Sequence, residues 1–187
     1  MAHTIIGLTG KKKSGKTSVA HHLCEKHGFV EVMVAEPLKE IIGRYLFYFT
    51  EKQLYGDLKD VTDDRWGVSP RFVFKDFGQY LKAKYGDDFW SKRAMFRIGE
   101  LMTRYPKGVR AVVSDCRFPR ELEVIETVGG FTCRIIRTDA VYEDEDETEV
   151  AADGIATAFE LSAKTGNLDD LYAQADKMME KIDIAIR

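Results

Sequence analysis

Apolar residues fall along this chain in blocks of two kinds. Short β-branched runs bounded by glycine or polar residues read as buried strands: HTIIGLT (3–9), FVEVMVA (29–35), VRAVVSD (109–115), FTCRIIRT (131–138) and TAFELSA (157–163). Other stretches repeat an apolar residue every three or four positions. That spacing predicts a helix from about Ser14 to His27, stopped by Gly28, and another opened by Pro37, with Leu38, Ile41, Ile42, Tyr45, Leu46 and Phe49 on one stripe. Further helices are expected over 71–84 and 88–104, across PRELEVIETVG, and along NLDDLYAQADKMMEKIDIAI. Residues 50–70 are polar, with Gly56, Gly67 and Pro70 as breakers, and read as a short helix and a mobile loop.

Strands alternating with helices predict an α/β fold, a five-stranded parallel sheet flanked by helices. The helical block 37–104 interrupts the alternation after the second strand and reads as an inserted substrate-side lobe of one domain spanning 1–187. VYEDEDETEVAADG (141–154) is acidic and aperiodic, and places a solvated loop or a lid over about 139–156. No internal repeat is present.

Composition narrows the picture. The 187 residues are 44% hydrophobic and 32% charged, as in ordinary globular chains. A net charge of −3 gives no overall pull toward nucleic acid or an anionic membrane, so neither is expected as a partner. No apolar run is long enough to span a bilayer, and the first residues lack a secretory pattern. Cys24, Cys116 and Cys133 are odd in number and widely spaced, which argues against a disulfide framework or a zinc site and suits a reducing cytoplasm.

The candidate chemistry starts at residues 7–20, GLTGKKKSGKTSVA. Gly10 to Thr17 satisfies G-x-x-x-x-G-K-[ST], the Walker A pattern, between a predicted strand and a predicted helix. Glycines there let backbone N–H groups curl around phosphate oxygens, and the helix presents its positive end to the same anion. Lys16 would reach the β and γ phosphates and Thr17 would bind Mg²⁺. Gly10, Lys13, Ser14, Gly15, Lys16, Thr17 and Ser18 are therefore the candidate ATP-binding residues.

A second group lies in SDCRFPRELE. Asp115 ends a strand at the carboxyl edge of the sheet, where ligands bind and a carboxylate can hold Mg²⁺. Arg117 and Arg120 follow it, and Arg137 ends the next strand; guanidinium groups there would neutralise transferring phosphate. Arg65, Arg71, Arg93 and Arg97 lie in the helical block. SAKTGNLDDL (162–171), with Lys164, is similar to a guanine-contacting loop, but no N-K-x-D element accompanies it, so a switch GTPase is disfavoured. The loop can still clasp a nucleotide base through its backbone. Several arginines around one cradle favour a phosphoryl transferase with two phosphorylated ligands over a one-nucleotide switch; a non-catalytic or regulatory ATP-binding module is the alternative from another class.

Together these motifs resemble the phage-type deoxynucleoside monophosphate kinases, P-loop enzymes of the nucleoside monophosphate kinase fold. The resemblance runs through GKKKSGKT, AEPLKE, WGVSPR, DDFW, SDCRFPRELEVIE, RIIRT and GNLDDLY. It implies transfer of the ATP γ-phosphoryl group to a deoxynucleoside 5′-monophosphate, a helical acceptor-binding lobe and a closing lid. Glu36, Pro37, Leu38 and Lys39 would border the acceptor and Arg71 face its phosphate; Asp115 and Arg117 would sit by the reacting phosphates, with Arg137 on the lid side. Trp90 of DDFW joins Trp66, Phe72, Phe77 and Tyr80 as aromatic residues able to stack on a base. Lys75, Gln79 and Tyr80 depart from the family's Gln, Thr and acid, so its base preference does not carry over. Arg137-Thr138-Asp139 replaces the usual R-P-G, and Asp146-Glu147-Thr148-Glu149 the later H-x-S-E, giving an acidic, differently hinged lid. The opening also resembles dephospho-coenzyme A kinases, the alternative reading, and the resemblance leaves a homodimer open.

Overall fold

The computed structural model describes residues 3–139 and 156–186. They form two compact units, one made by the chain up to Met33 and from Arg93 onward, the other by Val34–Lys92.

In the first unit β1 (Thr4–Thr9), β2 (Val30–Val32), β3 (Arg110–Val113), β4 (Phe131–Arg137) and β5 (Phe159–Ala163) form one sheet in the order β2-β3-β1-β4-β5. Every pairing is parallel. β1 is buried along its whole length, as a central strand covered on both faces must be. Ile6 and Leu8 point to the face covered by α1 (Lys16–His27) and α6 (Leu168–Ala185), where Val19, Leu23, Ile135, Leu171, Ala175 and Met178 join them in one core. The opposite face meets α5 (Pro119–Thr127), whose Leu122 and Ile125 close on Gly7. The chain reaches β3 on one side of β1 and β4 on the other. This switch in direction opens a crevice at the carboxyl ends of the strands, where the loop after β1 lies.

The second unit holds a π-helix (Leu38–Leu46), α2 (Glu51–Leu54), a 3-10 turn (Asp57–Asp60), α3 (Pro70–Tyr85) and the start of α4 (Phe89–Arg104). Ser69 caps α3 by accepting from the Phe72 N–H, and Pro70 fills its first turn, where a missing N–H costs nothing. Phe49, Leu54 and Val73 form the unit's core, with Ile42, Phe47, Phe74 and Phe77 packed against it.

Two local expectations change. FVEVMVA pairs only over Val30–Val32, because β2 is an edge strand with β3 as its sole neighbour and the ladder ends where Ser114 N–H meets the Val32 carbonyl. The stripe winds as a π-helix over Leu38–Leu46 and leaves it before Phe49, with Phe47 N–H bonding the Ile42 carbonyl at 3.0 Å. The wider turn shifts side chains off a 3.6-residue period, so Leu38 is buried while Ile41, Tyr45 and Leu46 stay exposed; Phe49, beyond the helix, is buried as well. Residues 140–155, most of the expected lid, lie outside the described residues. No helix among the described residues is long and apolar enough to cross a membrane.

Candidate active site

β1 ends at Thr9 and the chain loops through 10–15 before α1 begins at Lys16. Gly10, Lys13 and Gly15 all have positive φ, at 139°, 63° and 108°. Such left-handed residues turn successive N–H groups toward one centre and make an anion nest at the helix N-terminus. A side chain at Gly10 would collide with the Ile135 carbonyl oxygen, and a Cβ on Gly15 would come within 2.8 Å of Leu171 Cδ2. The loop is thus wedged between β4 and α6. The Lys16 ammonium bonds back across it, donating to the Gly10 carbonyl and, at 2.8 Å, to the Lys11 carbonyl. Ser14 Oγ is buried inside the loop with no hydrogen-bond partner. An orphaned hydroxyl in a glycine-shaped nest is the state a phosphate oxygen would relieve, so the residues fit a nucleotide triphosphate.

A cavity of about 320 Å³ extends from this loop. Lys13, Ser14, Gly15, Lys16, Thr17 and Ser18 line one side; Arg137, Ala163, Lys164, Gly166, Asn167, Leu168 and Leu171 line the other. It therefore gathers six of the candidate loop residues, Lys13 to Ser18, with Arg137 and Lys164, while Gly10 is not part of its lining. Leu168 and Leu171 were not among the candidates: their apolar spacing marks them as core, and only the fold turns them toward the loop. Asp139 fixes the far wall, its carboxylate accepting from Thr165 N–H at 2.9 Å and Thr165 Oγ1 at 3.0 Å. The Thr165 N–H, and then its hydroxyl, hold the Asp139 carboxyl below its ordinary value despite some desolvation.

Asp115 and Arg117 occupy the turn between β3 and α5, Asp115 half-buried and Arg117 exposed. Glu121, only 4% exposed, anchors this turn by accepting from Arg117 N–H at 2.7 Å and Phe118 N–H at 3.1 Å. Burial pushes its carboxyl up to about 7, against the pull of those two N–H groups. Cys116 is buried, and its thiol is pushed well up by desolvation, then by the Glu121 and Asp115 charges, while Lys16 acts the other way. Lys16, Asp115 and Glu121 thus lie within electrostatic range of one thiol. Arg120 turns outward and pairs with Glu123 at 2.8 Å. A glutamate in the first turn of α5 was the sequence signal for Glu121; its burial was not.

The acceptor-side candidates lie in the second unit. Glu36 is half-buried, Pro37 caps the π-helix, Leu38 is buried, and the Lys39 ammonium stands 4.7 Å above the Tyr55 ring. Arg71 is bonded to Asp60. Arg65 and Gln53 clamp Asp63, holding its carboxyl well below the usual carboxylate range. Lys75 and Gln79 are exposed on α3, as are Phe72 and Tyr80, and Trp66 is exposed in the turn before it. Trp90 is buried, its indole N–H donating to the Gly78 carbonyl at 3.2 Å. Sequence inspection missed Glu40, which accepts from Arg44 at 2.7 Å and Tyr55 at 2.6 Å and is held down to about 2 by those bonds.

No protein-family model matches the chain. A dephospho-CoA kinase from Campylobacter jejuni shares its fold, with a TM-score of 0.51 at 12% identity over 96% of this chain and 97% of that one. A shikimate kinase from Aquifex aeolicus aligns with a TM-score of 0.49 at 14% identity, covering 97% and 99%. In sequence, a protein of Acanthamoeba polyphaga mimivirus named "Putative deoxynucleotide monophosphate kinase" is 31% identical over 181 residues, 91% of this chain and 93% of that protein. With the parallel sheet and phosphate loop of a P-loop kinase and that near-full-length likeness, the chain belongs to the deoxynucleotide monophosphate kinase family.

Proposed function

We propose that this kinase transfers the γ-phosphoryl group of ATP to a deoxynucleoside 5′-monophosphate, giving the diphosphate and ADP. The observation that carries this reading is the cavity joining the phosphate loop to Arg137 and the 164–168 loop, whose lining brings the phosphate nest together with basic side chains. The triphosphate would replace the loop carbonyls as partner of Lys16 and satisfy Ser14 Oγ. Arg137 would screen the triphosphate, and the base would rest against the 164–168 loop, held by backbone groups near Lys164. Thr17 and Asp115 would hold Mg²⁺, which when bound neutralises phosphate charge.

Acceptor recognition is assigned to Glu36, Pro37, Leu38, Lys39, Arg71 and Trp90 from their match to the family pattern, and to Lys75 and Gln79 from their places in the acceptor lobe, where they depart from it. In this reading Arg71 exchanges Asp60 for the acceptor phosphate. An acceptor phosphate oxygen attacks the γ-phosphorus in line as the bond to the β–γ bridging oxygen breaks, with no covalent enzyme intermediate. Arg117, in the turn pinned by Glu121, would spread the developing charge.

The test is to incubate purified protein with Mg-ATP and each common nucleoside monophosphate, ribo and deoxy, alongside dephospho-coenzyme A, and resolve the products. Diphosphate from one or two deoxynucleotides is the expected result and gives the base preference. Product from dephospho-coenzyme A alone, or from no acceptor in protein that binds ATP, refutes the proposal.

A further inference from the structure

Away from the phosphate loop, the last two turns of α1 meet the middle of α6 through a cluster that the proposed reaction does not use. His22 Nε2 and His27 Nε2 each lie 2.8 Å from the same oxygen, Oδ1 of Asp176. The three potential ligand atoms lie within 4.8 Å of one another. Neither imidazole is on the open surface: their side chains are 14% and 17% exposed, and the Asp176 side chain 26%. The His22 ring is fixed by a parallel stack on Tyr172, centroids 4.4 Å apart. Lys26, a far more exposed side chain, holds the other Asp176 oxygen at 2.8 Å.

Two imidazole nitrogens and one carboxylate oxygen, converging from two packed helices, point to a divalent transition metal of the zinc class; hard cations such as Mg²⁺ prefer all-oxygen sets. We infer that His22, His27 and Asp176 form a metal site that staples the end of α1 to α6, with a fourth position open to water. Bond lengths near 2.0–2.2 Å in a tetrahedron require the nitrogens and oxygen to move apart by roughly half an ångström, within reach of side-chain rotation. Binding requires each imidazole to present a lone pair at Nε2 to the ion, with its remaining N–H on Nδ1. Lys26 opposes the ion electrostatically, and its exposure lets it swing away. Bound metal would tie together the helix that begins at Lys16 and the helix whose Leu168 and Leu171 line the nucleotide cavity.

The experiment is calorimetric titration of Zn²⁺ into the nucleotide-free full chain in excess Mg²⁺, paired with thermal unfolding and with visible absorption of the Co²⁺-loaded protein. The expected result is one saturable ion per chain, a rise in Tm, and d–d bands typical of low-coordinate nitrogen and oxygen ligation. H22Q, H27Q and D176N should each weaken binding at least tenfold, whereas K26M, at an exposed position, should tighten it several-fold. C24S, which removes the thiol on the same helix, should change nothing. The site is refuted if no stoichiometric uptake occurs, if uptake disappears in C24S and survives in the histidine variants, or if K26M fails to strengthen it.

Discussion

Lys16 is held by two loop carbonyls at the mouth of the phosphate nest, so its charge is already in place before any nucleotide arrives. Replacing it by methionine keeps the aliphatic stem and removes the ammonium. Phosphoryl transfer should then fall about a thousandfold or more, roughly 4 kcal/mol of lost transition-state stabilisation, while far-UV circular dichroism and Tm stay near wild type. Near-normal turnover would sink the role given to Lys16. Glu121 makes a different demand. Its carboxyl titrates near 4.5 in an unfolded chain and near 7 in its buried place, so the folded state holds the extra proton between those values. Stability should therefore fall as pH rises from about 4.5 to 7 and level off above, a loss on the order of 3 kcal/mol. Urea unfolding at pH 5 and pH 8 checks this. E121Q, neutral throughout and still able to accept from the Arg117 N–H, should flatten that difference; an unchanged difference would show that the proton sits elsewhere.

The π-helix Leu38–Leu46 depends on a missing side chain. A Cβ on Gly43 would lie 2.5 Å from Leu54 Cδ2 and 2.8 Å from the Phe74 ring, and Leu54 is fully buried. G43A should thus destabilise the protein by about 1–3 kcal/mol in urea titration, although Ala for Gly in an open helix would stabilise it. The elements of the first unit were legible from sequence because each is specified locally. β-branched runs gave the strands, and a glycine-lysine loop between strand and helix gave the nest. Arg137 and Lys164 could be placed because strand ends in a parallel sheet share one edge. What stayed hidden depends on distant partners or on hydrogen-bond register. Leu171 backs Gly15 from far along the chain, Glu121 is buried by tertiary packing, and an apolar stripe of the same spacing can wind with bonds to i−5 as well as i−4.

At the scale of the molecule, the proposed ATP-binding side belongs to the first unit alone. Mg-ATP at a hundred times its Kd should add about 2.7 kcal/mol to unfolding stability, read as a rise in Tm that L171A diminishes. L171A should also cost about 2–5 kcal/mol by itself, because Leu171 is buried behind Gly15. No nucleotide-dependent shift in the wild type would remove the basis for an ATP enzyme. The sheet order has a consequence for how the chain is made. β1 is made before the strands it pairs with, β3 and β4, and the loop after it rests on Ile135, within β4, and on Leu171, which comes later still. On the ribosome, then, the segment with the triphosphate motif emerges before β4 and α6 and takes its shape only after them. A chain stalled short of α6 carries the full motif without the wall that supports it, so unfinished copies should neither hold ATP nor hydrolyse it.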